Sequence, residues 1–521
     1  MSVYFPKKNF SILHRAVKSG KTVVFHNYFF YKMKNILLIQ ILRSFSKNEM
    51  NRFDEFLRSP FYNKKPNAVK FFETLGKHAP DYKEKDVEKE NIWKQLYPGK
   101  KYNWGVLKNL IFDLTKLSEK FILLLQYDKN VMEKNLLYLD ALTERKIHNK
   151  FFSEYNSKLK NLEKCKFYSN YYSDLQKLIS KKQNHCSIYT NYVSEIKEEY
   201  SVVTDCYMYD AIVKLSGFYH DTVGLSVNHN LSNDIRIPDY FFGILGKNNF
   251  ITGQGIQKEK NQKILLMYYY IYLASAYPEN TDNYFNFKKH LHENSGLFTF
   301  EEKHNLYIKL GDALNLRPSR KGDNKVVEFL EHYKKRIEEN VFTDLDGGIN
   351  IYSYSNIVKM AGRLSDHKLI KFVKDNFFDL LLPEFKDNMR LFTDAFYYYS
   401  KGNWEKALES AIKIKADHFI FKYDLRDLQG MLYYELNDYE SFLYLMDTHK
   451  HFLKKNKSVS SIYKNWYDIF VSNVFMLLKI KLKFDEYELI KFEKEVSEGK
   501  SGGTSYFTDK IKELKKVHKI K

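Results

Sequence analysis

Residues 395–408 read Ala395-Phe-Tyr-Tyr-Tyr-Ser-Lys-Gly402-Asn-Trp404-Glu-Lys-Ala407-Leu408. Two short helix-forming runs flank Gly402, the residue that most readily takes a left-handed turn. Thirty-five residues on, Gly430-Met-Leu-Tyr433-Tyr-Glu-Leu-Asn437-Asp438-Tyr439-Glu-Ser-Phe442 fits the same template. Asn437 stands where Gly402 stood, and asparagine also tolerates the left-handed conformation. The pattern predicts two adjoining helical hairpins over 388–448.

The rest of the chain supports a helical reading. It has 521 residues and only 9 prolines, with none between Pro98 and Pro238. Proline breaks helix interiors, so its scarcity permits long helices. The clearest helix spans 104–126, where Val106, Leu107, Leu110, Ile111, Leu114, Leu117, Phe121, Ile122 and Leu125 recur at three- and four-residue steps. A stripe this wide calls for several covering neighbours. Ser46 with Glu49 has capping-box spacing, placing Phe53, Phe56 and Leu57 on the buried side. Thr299, followed by Glu301 and Glu302, opens another helix. Further helices are expected near 67–78, 88–97, 261–277, 282–293, 299–316 and 323–340. No segment shows sustained two-residue alternation between hairpin turns, so little or no sheet is expected. Polar loops fall at 228–234, 247–255 and 343–350.

The 395–442 pattern resembles a tetratricopeptide repeat, whose period is ~34 residues. Weaker echoes lie at Ile357–Val373 and Ala274–His290. The resemblance implies an all-α protein, a right-handed α-solenoid of antiparallel helix pairs with an N-terminal helical domain. The implied small crossing residues are Ala395 and Ala407, then Gly430. The aromatic wedges are Tyr398 and Trp404, then Tyr433 and Tyr439, with Gly402 as the turn. It also implies a concave groove lined by Phe392, Phe396 and Tyr399 from one repeat and Asp427, Met431 and Tyr434 from the next. Such grooves take extended or helical peptides. The same aromatics could instead be covered by neighbouring helices.

The expected organisation is a basic arm or mis-assigned start at 1–33, a helical domain at 34–127, middle hairpins at 131–342, repeats at 350–500, and a joint with a basic terminal helix at 501–521. Residues 1–32 carry Lys7, Lys8, Arg15, Lys18, Lys21 and Lys32 and no acid.

Lys plus Arg number 84 and Asp plus Glu 64, a net charge of +20. That excess favours phosphates, acidic lipids or acidic proteins. Abundant Lys, Asn, Tyr, Phe and Ile are equally what an AT-rich coding sequence yields. Cys165, Cys186 and Cys206 form neither a disulfide framework nor a zinc spacing, and point to a reduced, cytoplasmic setting. No run reaches the ~18 apolar residues of a transmembrane helix.

No phosphate loop and no His-Glu-x-x-His is present. Gly253-Gln-Gly255 lacks a third glycine and a preceding strand. His290-x-His292 and His449-x-His451 point ~200° apart on a helix, and solvated surface histidines are the expectation. No catalytic residue, metal or cofactor is assigned. The expected function is a non-enzymatic scaffold binding a protein or peptide partner, acidic if charge selects it. The alternative is RNA or DNA binding through Lys64-Lys65, Lys100-Lys101, Lys181-Lys182, Arg317–Lys321, Lys454-Lys455 and Lys510–Lys521.

Overall fold

Short polar side chains start many of the helices. In the computed structural model Ser46 Oγ accepts from Glu49 N at 3.2 Å while Ser46 N donates to Glu49 Oε2 at 2.8 Å, so both arms of the capping box form. Asn103, Thr299, Asn324, Asn350, Asp366, Asn403 and Asp485 cap helices in the same way, each accepting from a backbone N–H of the first turn.

The structure describes residues 33–520 apart from 198, 230–233, 254–255, 257, 319–322, 416–418, 456–460 and 499–503. The expectations for 1–32 and for the 501–503 joint lie outside them. Twenty-three α-helices and no strand occur among the described residues. One isolated bridge joins Phe167 to Phe298. No helix there is long and apolar enough to cross a membrane.

The chain divides into two units, Met1–Ala141 and Leu142–Lys521. This boundary falls within the helix Val131–Glu144, beyond the 127–131 link expected from sequence. The 343–350 loop lies inside the second unit.

The first unit holds α1 (Leu37–Ser44), α2 (Lys47–Arg58), α3 (Pro66–Gly76), α4 (Lys89–Leu96) and α5 (Trp104–Lys129). Helices α1, α2 and α3 pack on α5. Leu107, Leu110, Leu114 and Phe121 of α5 are buried there, and the Phe121 ring lies 5.1 Å from that of Phe53. The buried stripe is narrower than its periodicity suggested, because Val106 and Ile122 stay exposed.

Helix α6 (Val131–Glu144) leads into the second unit. There follow α7 (His148–Lys164), α8 (Tyr171–Ile188), α9 (Glu199–His229), α10 (Arg236–Lys247), α11 (Glu259–Ala276), α12 (Thr281–Asn294), α13 (Phe300–Leu316) and α14 (Lys325–Glu338). The chain continues through α15 (Ile351–Arg363), α16 (His367–Phe377), α17 (Pro383–Ser400), α18 (Trp404–Ile412), α19 (Phe419–Leu436), α20 (Tyr439–Lys455), α21 (Ser461–Leu482), α22 (Glu486–Ser497) and α23 (Thr504–Val517). From α11 onward every helix packs on the next. Alternate helices also pack together, α9 on α11, α11 on α13, α15 on α17 and α19 on α21.

One junction recurs three times. Ser365, Gly402 and Asn437 have φ of 57°, 71° and 57°. The next residue in each case, Asp366, Asn403 and Asp438, donates its N–H back to Ala361 O, Tyr398 O and Tyr433 O at 2.9, 3.0 and 3.0 Å. That six-to-one bond closes the finished helix. The same three side chains then cap the following helix, accepting from Leu369 N, Lys406 N and Ser441 N. The pairs α15/α16, α17/α18 and α19/α20 thus share one turn. The Ile357–Val373 echo contains it. The Ala274–His290 echo does not, and joins its helices through Tyr277–Asn280 without a positive φ.

Candidate functional site

The face expected to form a groove belongs to α17 and α19. Phe392, Phe396, Tyr399, Asp427, Met431 and Tyr434 are all buried. They are core, and line no open groove. Three features close it.

First, α15 reaches α19 directly. Lys359 Nζ lies 2.7 Å from Asp424 Oδ1, and Arg363 Nη2 lies 3.3 Å from Asp427 Oδ2. The Arg363 guanidinium also stands over the Phe470 ring of α21, 5.2 Å from its centroid. Burial pushes the Asp427 carboxyl up to about 7, and Arg363 only partly opposes this. Its Oδ1 has no hydrogen-bond partner among the described residues.

Second, Gly362 of α15 lets α17 approach. A Cβ at Gly362 would sit 2.6 Å from Phe396 Cδ1. Third, α23 lies over Tyr434. Lys510 Nζ is 5.9 Å from the Tyr434 ring centroid and 2.7 Å from Glu435 Oε1. Burial lowers the Lys510 ammonium, but Glu435 outweighs that and holds its pKa above the ordinary lysine value.

The repeat-defining residues fare differently. Ala395 and Ala407 are fully buried, and Gly402 makes its turn. Trp404 meets Tyr399 at 5.2 Å. Tyr398 is half-buried beside Lys406. In the α19/α20 pair Gly430 and Phe442 exchange bulk. A Cβ at Gly430 would stand 3.1 Å from Phe442 Cζ, so the missing side chain on α19 makes room for the large ring on α20. Tyr433 lies against Phe442 at 6.2 Å, and Tyr439 stacks on Phe475 at 5.5 Å.

The expectation of solvated histidines holds for His451, which is exposed, and needs correcting for the other three. His449 is fully buried, and burial pushes it down to about 4. His290 and His292 are half-buried, with His290 Nε2 2.7 Å from Lys263 O. Helix packing encloses them, a long-range effect that two-residue spacing does not encode. Among the described residues no three His, Cys, Asp or Glu side chains gather for a metal ion. Gln254 and Gly255 of the glycine loop lie outside the described residues.

Several basic clusters carry acidic partners. Lys65 meets Asp113 at 2.7 Å, Lys182 meets Glu199 at 2.8 Å, and Lys515 meets Glu493 at 2.7 Å. Arg317 is buried, paired with Asp323 and flanked by the Tyr284 and Phe285 rings. The first unit also has a cleft of about 940 Å³ with Leu42, Phe45, Met50, Asp54, Glu55 and Phe72 among its walls.

No family model matches this chain, no curated protein matches it, and no solved structure matches it.

Proposed function

We propose that the chain is a non-enzymatic helical-repeat scaffold whose C-terminal helix pairs form a tetratricopeptide-like α-solenoid and hold a protein partner. The observation that carries this reading is the junction repeated at Ser365, Gly402 and Asn437, with one backbone bond and one capping role each time. Its spacings of 37 and 35 residues lie near the ~34-residue period of that family. Stacked helix pairs of this kind act through extended surfaces. With the expected groove filled by the chain's own side chains, recognition falls to helix packing. The test is purification of the full chain with its bound partners from the native cell, with nuclease added. A protein retained through nuclease and high salt supports the scaffold; its absence argues against it.

A second reading, contact with single-stranded nucleic acid, rests on one cluster in the first unit. Tyr102 is exposed against Trp93, which also meets Tyr97, and Trp104 is exposed nearby in sequence, with Lys89 Nζ 4.4 Å from the Trp104 ring and Lys100 Nζ 5.5 Å from that of Tyr97. Aromatic faces with nearby cations can stack bases. A gel shift whose affinity falls steeply with salt would favour it. No shift at low salt removes it.

A further inference from the structure

Three buried polar atoms without partners belong to the contact of α15 with α19. Asp424 and Asp427 lie three residues apart on α19, and so on one helix face. Lys359 and Arg363, four apart on α15, meet them. The two aspartate side chains are 1% and 8% exposed. Each carboxyl uses one oxygen on its cation. Asp424 Oδ1 accepts from Lys359 Nζ at 2.7 Å, and Asp427 Oδ2 from Arg363 Nη2 at 3.3 Å. The other oxygens, Asp424 Oδ2 and Asp427 Oδ1, have no hydrogen-bond partner among the described residues, and neither has Arg363 Nε. Phe470 of α21 stands against the Arg363 guanidinium and helps to close the place. Groups buried in this way give up their hydration, and nearly all such groups bond to protein or to ordered water.

The donor and acceptor set decides what suits these atoms. Arg363 Nε carries a hydrogen and can only donate. Asp424 Oδ2, on a carboxyl already paired with an ammonium, accepts. Asp427 does either. Burial pushes its carboxyl up to about 7 against the pull of Arg363, so Oδ1 accepts when ionised and donates when protonated. A metal cation would be repelled by the Arg363 N–H, and an anion by the carboxyls. A species that both donates and accepts suits all three atoms, and water is the smallest. Buried water typically makes about three hydrogen bonds to groups left unsatisfied by the chain. Accepting from Arg363 Nε and donating to Asp424 Oδ2, it keeps a bond for Asp427 in either protonation state.

We infer that the α15–α19 clamp contains a binding site for one ordered water, held by Arg363 Nε, Asp424 Oδ2 and Asp427 Oδ1. The site is independent of the scaffold reading and stands whether or not a protein partner is found. Its water joins the two ion pairs into one connected unit. It also lets Asp427 gain or lose a proton without losing a bond.

The test is oxygen-17 relaxation dispersion of solvent water on the full chain, which counts waters held longer than the molecule tumbles. The double variant Arg363→Met with Asp427→Leu removes two of the three contacts and should lose one such water. Asp427→Asn, whose amide both donates and accepts, should keep it. Equal counts in the unaltered chain and the double variant overturn the inference, as does loss of the water in Asp427→Asn. Should the double variant melt, crystals of the unaltered chain decide, grown below and above the Asp427 transition. A single density peak within about 3.2 Å of all three atoms is expected in both. No peak overturns the inference, and so does Asp427 Oδ1 in direct contact with Asp424 Oδ2 across a shared proton. A peak with an anomalous signal assigns the place to an ion and overturns it too.

Discussion

Lys359 Nζ on α15 lies 2.7 Å from Asp424 Oδ1 on α19, 65 residues further along the chain and past the whole α17/α18 pair. Arg363 and Asp427 make the parallel contact one turn away. Helix α15 therefore grips α19 on the side where an open groove was expected. All four side chains are largely enclosed, so the pairing counts for more than a surface ion pair would.

Removing one member of this clamp should be costly. Arg363→Ala leaves Asp427 buried without its partner; the carboxyl then takes a proton, and a loss of about 1–3 kcal/mol is expected for its unsatisfied polar atoms. Replacing both, as Arg363→Met with Asp427→Leu, should recover most of it, because an apolar pair carries no desolvation penalty. Urea unfolding of the single and double variants checks this. Equal losses in both would remove the electrostatic account.

Two glycines in comparable helices should respond differently to alanine. At Gly362 the new Cβ would meet Phe396 Cδ1 at 2.6 Å and Cβ at 3.1 Å, so the ring must shift from its root. A net loss of about 1–3 kcal/mol is expected from overpacking. At Gly430 the nearest atom is Phe442 Cζ at 3.1 Å, the far end of a ring. There the gain of ~1 kcal/mol in helix propensity should roughly offset the contact. Thermal melts that rank the two the other way would refute the packing described.

Gly402→Val should destabilise the α17/α18 turn. Its φ of 71° suits glycine, and a β-branched residue resists that region. The expected cost is about 1–3 kcal/mol, read from the melting temperature. An unchanged melt would contradict the turn.

Buried histidines should make the protein acid-sensitive. Burial holds His332 down to about 3, with Arg336 adding to the effect. The unfolded chain takes up this proton near pH 6.5, while the folded chain resists until about 3. Its stabilising effect is therefore present above pH 6.5 and is lost as pH falls towards 3. The slope contributed is about 1.4 kcal/mol per pH unit. His332→Leu should flatten the dependence between pH 6 and 4 by that amount, measured by urea unfolding at each pH. Asp427 has the opposite sign. Raised to about 7, it is protonated when folded and ionised when unfolded between 3.8 and 7, so stability from this site falls as pH rises across that window.

What the sequence disclosed was local. The Ser46–Glu49 box, the Thr299 cap, and the Gly402 and Asn437 turns each need only a few consecutive residues, and each is formed. The stripe of α5 told which way Leu107 and Leu114 face, since periodicity fixes direction. Burial of Tyr399, Asp427 and Tyr434 depends on residues far along the chain: Lys359 and Arg363 before them, Lys510 after. No window of periodicity contains those partners. The same holds for His449, enclosed by helices that its two-residue spacing from His451 cannot register.

The α15–α19 grip also bears on how many helix pairs this stretch can hold. Identical turns ordinarily allow a unit to be copied or excised, since each contacts only its neighbours. Here an ammonium–carboxylate and a guanidinium–carboxylate couple straddle the α17/α18 pair, so the chain carries its own gauge of how many helix pairs fit between them. Duplicating or deleting that pair would strand four buried polar side chains at a stroke, which ties this stretch to one length.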